Sequence, residues 1–214
     1  MRPHIDTSFK KRIFSKTTVL NYLAHSILSG EKELVLVGNF AGDAVKGKAY
    51  QNYPVEMQKG ILLHRAIDHF TDTHPVVKAS VKALRPELGK WAAVAVDILY
   101  DHILARDFER YSEVSLENHV DVVYKTLHAH KEILPERFRY ILPYMVANNW
   151  LLNYQYPSGI QRAFNGLSRR VTNGEELKRS YEAFETIQSE IEAHFHTFMP
   201  DLIVFVNQRL ESYE

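Results

Sequence analysis

The chain has 214 residues, with 26 Lys and Arg against 26 Asp and Glu, so its formal charge is zero and its isoelectric point lies near 7.2. A neutral chain exerts no long-range pull on nucleic acid, and an acidic partner has to be met by a local patch. Cysteine is absent, which excludes disulfides, thiolate nucleophiles and thiolate metal sites and leaves histidine and carboxylate as the strong ligands.

No apolar run reaches the roughly 18 residues of a membrane span, and the start, MRPHIDTSFKKRIF, lacks the apolar stretch of a secretory signal. The expectation is a soluble cytoplasmic protein of one domain. Apolar residues recur at helical spacing with turn residues between the periodic blocks, which predicts an all-α, single-domain helical bundle. The first helix is expected over about Thr18 to Leu28, stopped by Ser29-Gly30, and the second over about Glu33 to Val45, stopped at Gly47. A long third helix follows Pro54 and carries GILLHRAIDHFTD; His74-Pro75 breaks it, and Pro75 suits the first turn of a short fourth. The fifth begins after Gly89. Later helices are expected at about Leu116 to Lys131, Pro135 to Tyr154, Gly159 to Arg169, Glu175 to His196 and Asp201 to Leu210. No internal repeat or low-complexity linker is present.

Polar residues interrupt the greasiest segments. The fifth helix contains WAAVAVDILYDHIL, apolar on all sides and so expected in the interior, yet it carries Asp97, Asp101 and His102. A buried ionised carboxylate loses several kcal/mol of effective solvation unless a counter-charge, hydrogen bonds or a metal compensates. On the third helix His64, Asp68 and Asp72 form one stripe at a spacing of four, among apolar neighbours. The second helix adds GNFAGDAVKG, where Gly38 and Gly42 open a small groove beside Asn39 and Asp43. In the first, Asn21 and His25 share a face. One reading is a network of buried ion pairs in which Arg65 and the histidines satisfy the acids, with His25 an ordinary core histidine and the glycines a packing device. The other is a divalent cation, because one arginine does not balance two buried acidic rows.

NYLAH, GNFAGDAVKG, HRAIDHFTDTHP and VDILYDHIL, in that order and spacing, resemble the acyl carrier protein phosphodiesterase family, a divergent branch of the all-helical HD phosphohydrolases. The block HRxIDxFTDxHP is the most specific. The resemblance runs from about Leu20 to the C-terminal helix and weakens after Arg110; PYMVANNWLLNY and GIQRAFNGLSRR resemble later family blocks. Family members commonly begin with a methionine where Leu20 stands, which implies that residues 1–19 are a flexible extension or follow a start assigned too far upstream. The domain proper is then 20–214. The implied activity is hydrolysis of the phosphodiester that joins 4′-phosphopantetheine to a serine of holo acyl carrier protein, with Mn2+ or Mg2+ as cofactor. The chain departs from the wider superfamily in one respect: the adjacent His-Asp pair that names it never occurs, since Arg65 follows His64 and the carboxylate comes at Asp68.

On this reading Asp43, His64, Asp68 and Asp101 hold the metal, while His25, Asp97 and His102 stand behind them or add ligands. Arg65 steadies charge on the phosphate oxygens, Asn39 donates a hydrogen bond, and His25 or His102 protonates the departing serine. An acidic carrier needs a basic surface near the cleft, and Lys78, Lys82 and Arg85 form an i, i+4, i+7 stripe on the fourth helix, with Lys46, Lys48, Lys59 and Lys90 as extensions. No nucleic-acid partner is expected. The aromatic PYMVANNWLLNY helix is expected to pack in the core or to line the path of the pantetheine arm. Two rivals stay open: a phosphohydrolase of nucleotides or other small diesters, with Tyr22, Tyr100 or Trp150 stacking on a base, and a non-catalytic helical binding module. Glu-x-x-His pairs of di-iron bundles, P-loops, dinucleotide fingerprints, nucleophile elbows and HExxH are all missing from the sequence.

Overall fold

Helices make up most of the computed structural model, which describes residues 21–213. The extension expected at 1–19 lies outside the described residues. In chain order the described helices are α1 (Tyr22–Ile27), α2 (Glu33–Ala41), α3 (Val55–Thr73), α4 (Pro75–Leu88), α5 (Ala92–Arg106), α6 (Leu116–Ala129), α7 (Glu136–Ala147), α8 (Trp150–Asn153), α9 (Pro157–Ser168), α10 (Ser180–Thr186) and α11 (Gln188–Glu211). No strand occurs among the described residues, so the expected all-α class holds, and no described helix is long and apolar enough to cross a membrane.

Local chemistry explains most boundaries. Pro54 precedes the first turn of α3, and its fixed backbone angle suits that place. At the other end Pro75 forces His74 into an extended conformation (φ −65°, ψ 130°), which stops α3 and lets α4 begin. The all-apolar α5 takes the centre, with Ala95, Val96, Ile98, Leu99, Ile103 and Leu104 fully buried.

Several boundaries differ from the sequence expectation: α2 ends at Ala41 and passes into the short turn Gly42–Ala44 instead of running to Val45, and the helix expected over Glu175 to His196 is interrupted at Ile187, between α10 and α11. The segment expected as one helix over 135–154 breaks at Asn148-Asn149, where Asn149 adopts a left-handed conformation (φ 42°). Asparagine tolerates that region better than most residues, so a helical pattern is cut without glycine or proline. The opposite happens at the C-terminus. A stop was expected before Asp201, yet α11 runs straight through Pro200 to Glu211. Proline removes one backbone hydrogen bond, but Phe195, Phe198, Met199, Leu202 and Val206 on either side of it are all buried, and their packing keeps the helix continuous.

The most extensive helix contact is α2 against α3, and two facing glycines set its distance. A Cβ on Gly38 would sit 2.2 Å from the Met57 carbonyl oxygen, and one on Gly60 would sit 2.2 Å from that of Val35. The two backbones therefore touch. Gly60→Ala should destabilise the fold by about 2 kcal/mol or more, the usual range for overpacking a tight contact; a lower denaturation midpoint in urea, with an unchanged slope, is the expected measurement.

Candidate metal centre

The glycine crossing brings the backbone of Asn39, on α2, against His64, on α3. The Asn39 carbonyl lies 2.8 Å from His64 Nδ1, and the Asn39 side-chain Oδ1 lies 2.8 Å from His25 Nδ1 on α1. A carbonyl only accepts, so His64 carries its proton on Nδ1. The Asn39 amide is oriented by its other end: Nδ2 donates to the His25 carbonyl and to Ser29 Oγ at 2.8 and 3.0 Å. Oδ1 is then the acceptor for His25, which also carries its proton on Nδ1. Gly42 makes room for the second imidazole, since a Cβ there would lie 2.5 Å from His64 Cγ.

Both Nε2 atoms consequently point away from their tethers as bare lone pairs. The rings stack at 4.1 Å between centroids, and each Nε2 faces an Asp68 oxygen at 3.2 Å. Among the described residues neither Nε2 has a hydrogen-bond partner, although both are buried. Two acceptors and an anion converging in this way repel one another unless a positive charge lies between them. Protons alone serve poorly. Burial and then the neighbouring His64 lower the pKa of His25, and two stacked imidazolium ions would repel. A divalent cation meets the requirement, and among the described residues His25, His64 and Asp68 offer ligand atoms all within 4.8 Å of one another. Burial pushes the Asp68 carboxyl up, and only positive charge at the two Nε2 positions, as N–H donors facing it, outweighs that and holds it well below the usual carboxylate range.

The other residues expected at the site take different places. Asp101 is fully buried and accepts from the backbone N–H of Leu23 and Ala24, both at 2.9 Å. It ties the first turn of α1 to α5 and so holds His25 in position, in place of the direct ligation expected for it. Burial raises its pKa to about 8, against the pull of those two donors. His102 is engaged elsewhere: Nδ1 lies 2.6 Å from the Tyr154 carbonyl and the ring packs edge-on against Tyr181 and Phe184, and it is not part of the His25, His64 and Asp68 group. Asn39 is wholly buried with both donors engaged, so it orients the histidines and does not reach a phosphate. Arg65 gives Nη2 to the carbonyls of Val45 and Gly47 at 2.9 and 2.8 Å and covers the Tyr50 ring. It braces the loop after Asp43, and among the described residues it forms no ion pair, which removes the arginine-neutralised network from consideration. Asp43, on the short turn Gly42–Ala44, is partly buried, with Oδ1 3.4 Å from Lys46 Nζ. Its charge, like those of Asp68 and Asp101, reaches Asp97.

One turn beyond Asp68 the stripe opens into a cavity of about 340 Å3. Asp72 and Asp97 line it together with Lys78, Lys82 and Arg85, and Val77 and Val81 supply apolar wall. The predicted basic stripe of α4 therefore borders the acidic row of α3 and α5. Burial first, then the charges of Asp72, Asp68, Asp101 and Asp43, raise the Asp97 pKa well above the usual carboxylate range; burial and Asp68 raise that of Asp72. Two of the expected extensions of the patch are engaged elsewhere. Lys59 bonds Glu56 and the Tyr213 carbonyl at 2.9 and 2.7 Å, and Lys90 lies over the Trp91 ring. Sequence reading missed Ser29 and Gly60; the small residues facing GNFAG were the available signal.

Comparison with known proteins gives a consistent family. The family described as "Acyl carrier protein phosphodiesterase" matches residues 20–202. Curated proteins named acyl carrier protein phosphodiesterase are similar along most of their length. One from Enterobacter sp. (strain 638) is 32% identical over 186 residues, 86% of this chain and 96% of its own. One from Klebsiella pneumoniae (strain 342) is 30% identical over 185 residues, 86% and 96% respectively. One from Escherichia coli O157:H7 (strain EC4115 / EHEC) is 27% identical over 191 residues, 89% and 99%. No solved structure matches.

The tethering role of Asn39 has a measurable consequence. Asn39→Ala should weaken Mn2+ binding about 10- to 100-fold, the usual loss when a residue that orients ligating histidines is removed, without touching any ligand atom. Isothermal titration with Mn2+ on wild type and variant reads it, and equal affinities would remove Asn39 from the role.

Proposed function

The chain belongs to the acyl carrier protein phosphodiesterase family, and on that basis we propose that it is a metal-dependent phosphoric diester hydrolase that cuts 4′-phosphopantetheine from the serine of holo acyl carrier protein, leaving the apo protein. The observation that carries the metal-dependent reading is the pair of buried, unpartnered Nε2 atoms of His25 and His64 converging on Asp68. Two imidazoles and a carboxylate suit a hard to borderline divalent ion; the nitrogen pair favours Mn2+ over Mg2+. Asp43 is proposed as a further ligand at the edge of the group. A cation held there supplies Lewis acidity toward the phosphate and toward the attacking water.

The chain's own residues account for the remaining steps. Lys78, Lys82 and Arg85 draw the anionic diester toward the cavity and hold its non-bridging oxygens, and the outward part of the same stripe receives the acidic carrier. Water attacks phosphorus on the side opposite the serine oxygen, and the phosphorus–oxygen bond to serine breaks. The serine alkoxide is strongly basic and needs a proton. Asp97 is the proposed donor: it lines the cavity, and burial keeps its carboxyl protonated to higher pH than an exposed aspartate. Asp72, at the mouth, is the proposed acceptor of the proton that the water loses as it attacks, since burial and Asp68 make its carboxylate more basic than an exposed one. The rival nucleotide phosphohydrolase finds no stacking ring in this cavity, since the aromatic candidates Tyr22, Tyr100 and Trp150 are absent from its lining.

Purified protein, stripped with chelator and given Mn2+, should release 4′-phosphopantetheine from holo carrier, and Asp68→Asn should abolish that release while its circular dichroism stays helical; a nucleotide panel turned over faster than the carrier would replace the assignment. Asp97→Asn should lower kcat by about 10²-fold or more at unchanged Mn2+ affinity. Because the folded Asp97 pKa is raised, the protonated form acts and wild-type kcat should fall as pH rises through it; loss of that alkaline limb in the variant is the check. Reversing the charges of Lys78, Lys82 and Arg85 should raise KM for the carrier by at least about 10-fold, as expected when steering charges are inverted, and less for a short serine diester. An equal rise for both substrates would confine these residues to the cavity.

A further inference from the structure

A second cavity, of about 340 Å3, lies in α8 and α9 and shares no residue with the cluster or the cation-lined cavity. We propose that it binds an organic phosphate of nucleotide size, at a site separate from His25, His64 and Asp68, through the juxtaposition of Arg162 and Arg170 with Trp150 and the amides of Asn148 and Asn153.

The walls are built for an anion with a flat or amide-bearing body. Among the described residues Arg162 and Arg170 are the only ionised groups in the lining, and none of those lining residues is a carboxylate. Arg170 is half-buried. Its Nε donates to the Gly166 carbonyl at 2.8 Å, which fixes the guanidinium at the cavity edge. Arg162 Nη2 lies 3.4 Å from Asn153 Oδ1. Burial lowers the pKa of Arg170, against the pull of Tyr22 and Tyr154, and an anion in the cavity meets two guanidinium groups and no carboxylate among the described lining residues. Guanidinium pairs hold phosphate oxygens in a planar, bidentate geometry that a single lysine does not reproduce.

The rest of the lining suits the body of such a ligand. Ala163 and Gly166 leave their part of the α9 face almost without side chains, Gly159 lets α9 close against the Asn153 backbone, and Trp150 and Tyr154 give aromatic surface. Trp150 reaches this position because the left-handed Asn149 breaks the α7 helix just before it and redirects the chain. Asn148 Nδ2 donates to the Tyr144 carbonyl and Asn153 Nδ2 to the carbonyls of Asn148 and Asn149, so what these amides can offer a ligand is an oxygen that accepts from an amino or amide N–H. The volume falls within the usual range of small-ligand sites, about 300–1,000 Å3. A nucleotide and a 4′-phosphopantetheine molecule share this chemistry of a terminal phosphate on a hydrogen-bonding body, and the test separates them.

Calorimetric titration of the full chain in chelator with adenosine 5′-monophosphate, 4′-phosphopantetheine and inorganic phosphate measures the site directly. At least one organic phosphate should bind saturably with Kd below about 1 mM, at least tenfold tighter than inorganic phosphate, and equally well to the Asp68→Asn variant. Gly166→Leu is the blocking variant: a Cβ there meets only Arg170 Nη2, at an ordinary 3.5 Å, so the helix tolerates the side chain while it fills the cavity. It should abolish binding with an unchanged melting temperature or a higher one, and Arg162→Glu should weaken binding at least tenfold. Absence of organic-phosphate binding, binding no tighter than inorganic phosphate, or binding that survives Gly166→Leu but is lost in Asp68→Asn would each overturn the proposal.

Discussion

Asn39 is the residue on which the candidate centre depends. Its carbonyl and its side-chain oxygen each take the Nδ1 proton of a different histidine, and its amide nitrogen is anchored to the His25 carbonyl and Ser29. One buried side chain therefore fixes the tautomer and the direction of two imidazoles. Their remaining nitrogens have no choice but to face Asp68. This arrangement requires α2 and α3 to be in backbone contact, which Gly38 and Gly60 alone permit. The helix crossing, the hydrogen-bond tether and the unpartnered lone pairs are successive consequences of two absent side chains.

The apolar α5 shows how one greasy helix accommodates three polar groups by three different means. Asp101 is satisfied by the free backbone N–H groups at the start of α1, which a helix end always leaves unpaired. His102 gives its proton to a carbonyl and packs its ring among aromatics. Asp97 has neither solution. It faces a cavity beside Asp72, and burial among like charges raises its pKa well above the usual carboxylate range. On α5 the two groups that serve structure, Asp101 and His102, are hydrogen-bonded, whereas Asp97 faces the cavity. That pattern separates Asp101 from Asp97 although both occupy one face of one helix.

The α-class, the stop at His74-Pro75 and the apolar interior position of α5 were legible because periodicity and proline act within a few residues. The break at Asn149 and the continuous passage through Pro200 were not. Each reverses a local preference: asparagine enters a left-handed conformation where the pattern is helical, and packing on both sides of a proline holds the helix together. In the site, the residue types were legible and the roles only partly so. His64 and Asp68 meet as their spacing of four suggested. Asp72, next in the same stripe, falls outside the group and opens onto the cavity. His25, which the sequence offered as an ordinary core histidine or an auxiliary ligand, stands in the centre of the cluster.

What the sequence determined by itself is therefore chemical inventory: no thiolates, polar rows on greasy helices, four blocks in family order, and a basic stripe on α4. Which of the buried acids are free for chemistry was decided only in three dimensions. Burial without a partner is a property of neighbours distant in the chain, and the partners of Asp101, His25 and Asn39 come from helices whose separation depends on a glycine contact that no local pattern measures.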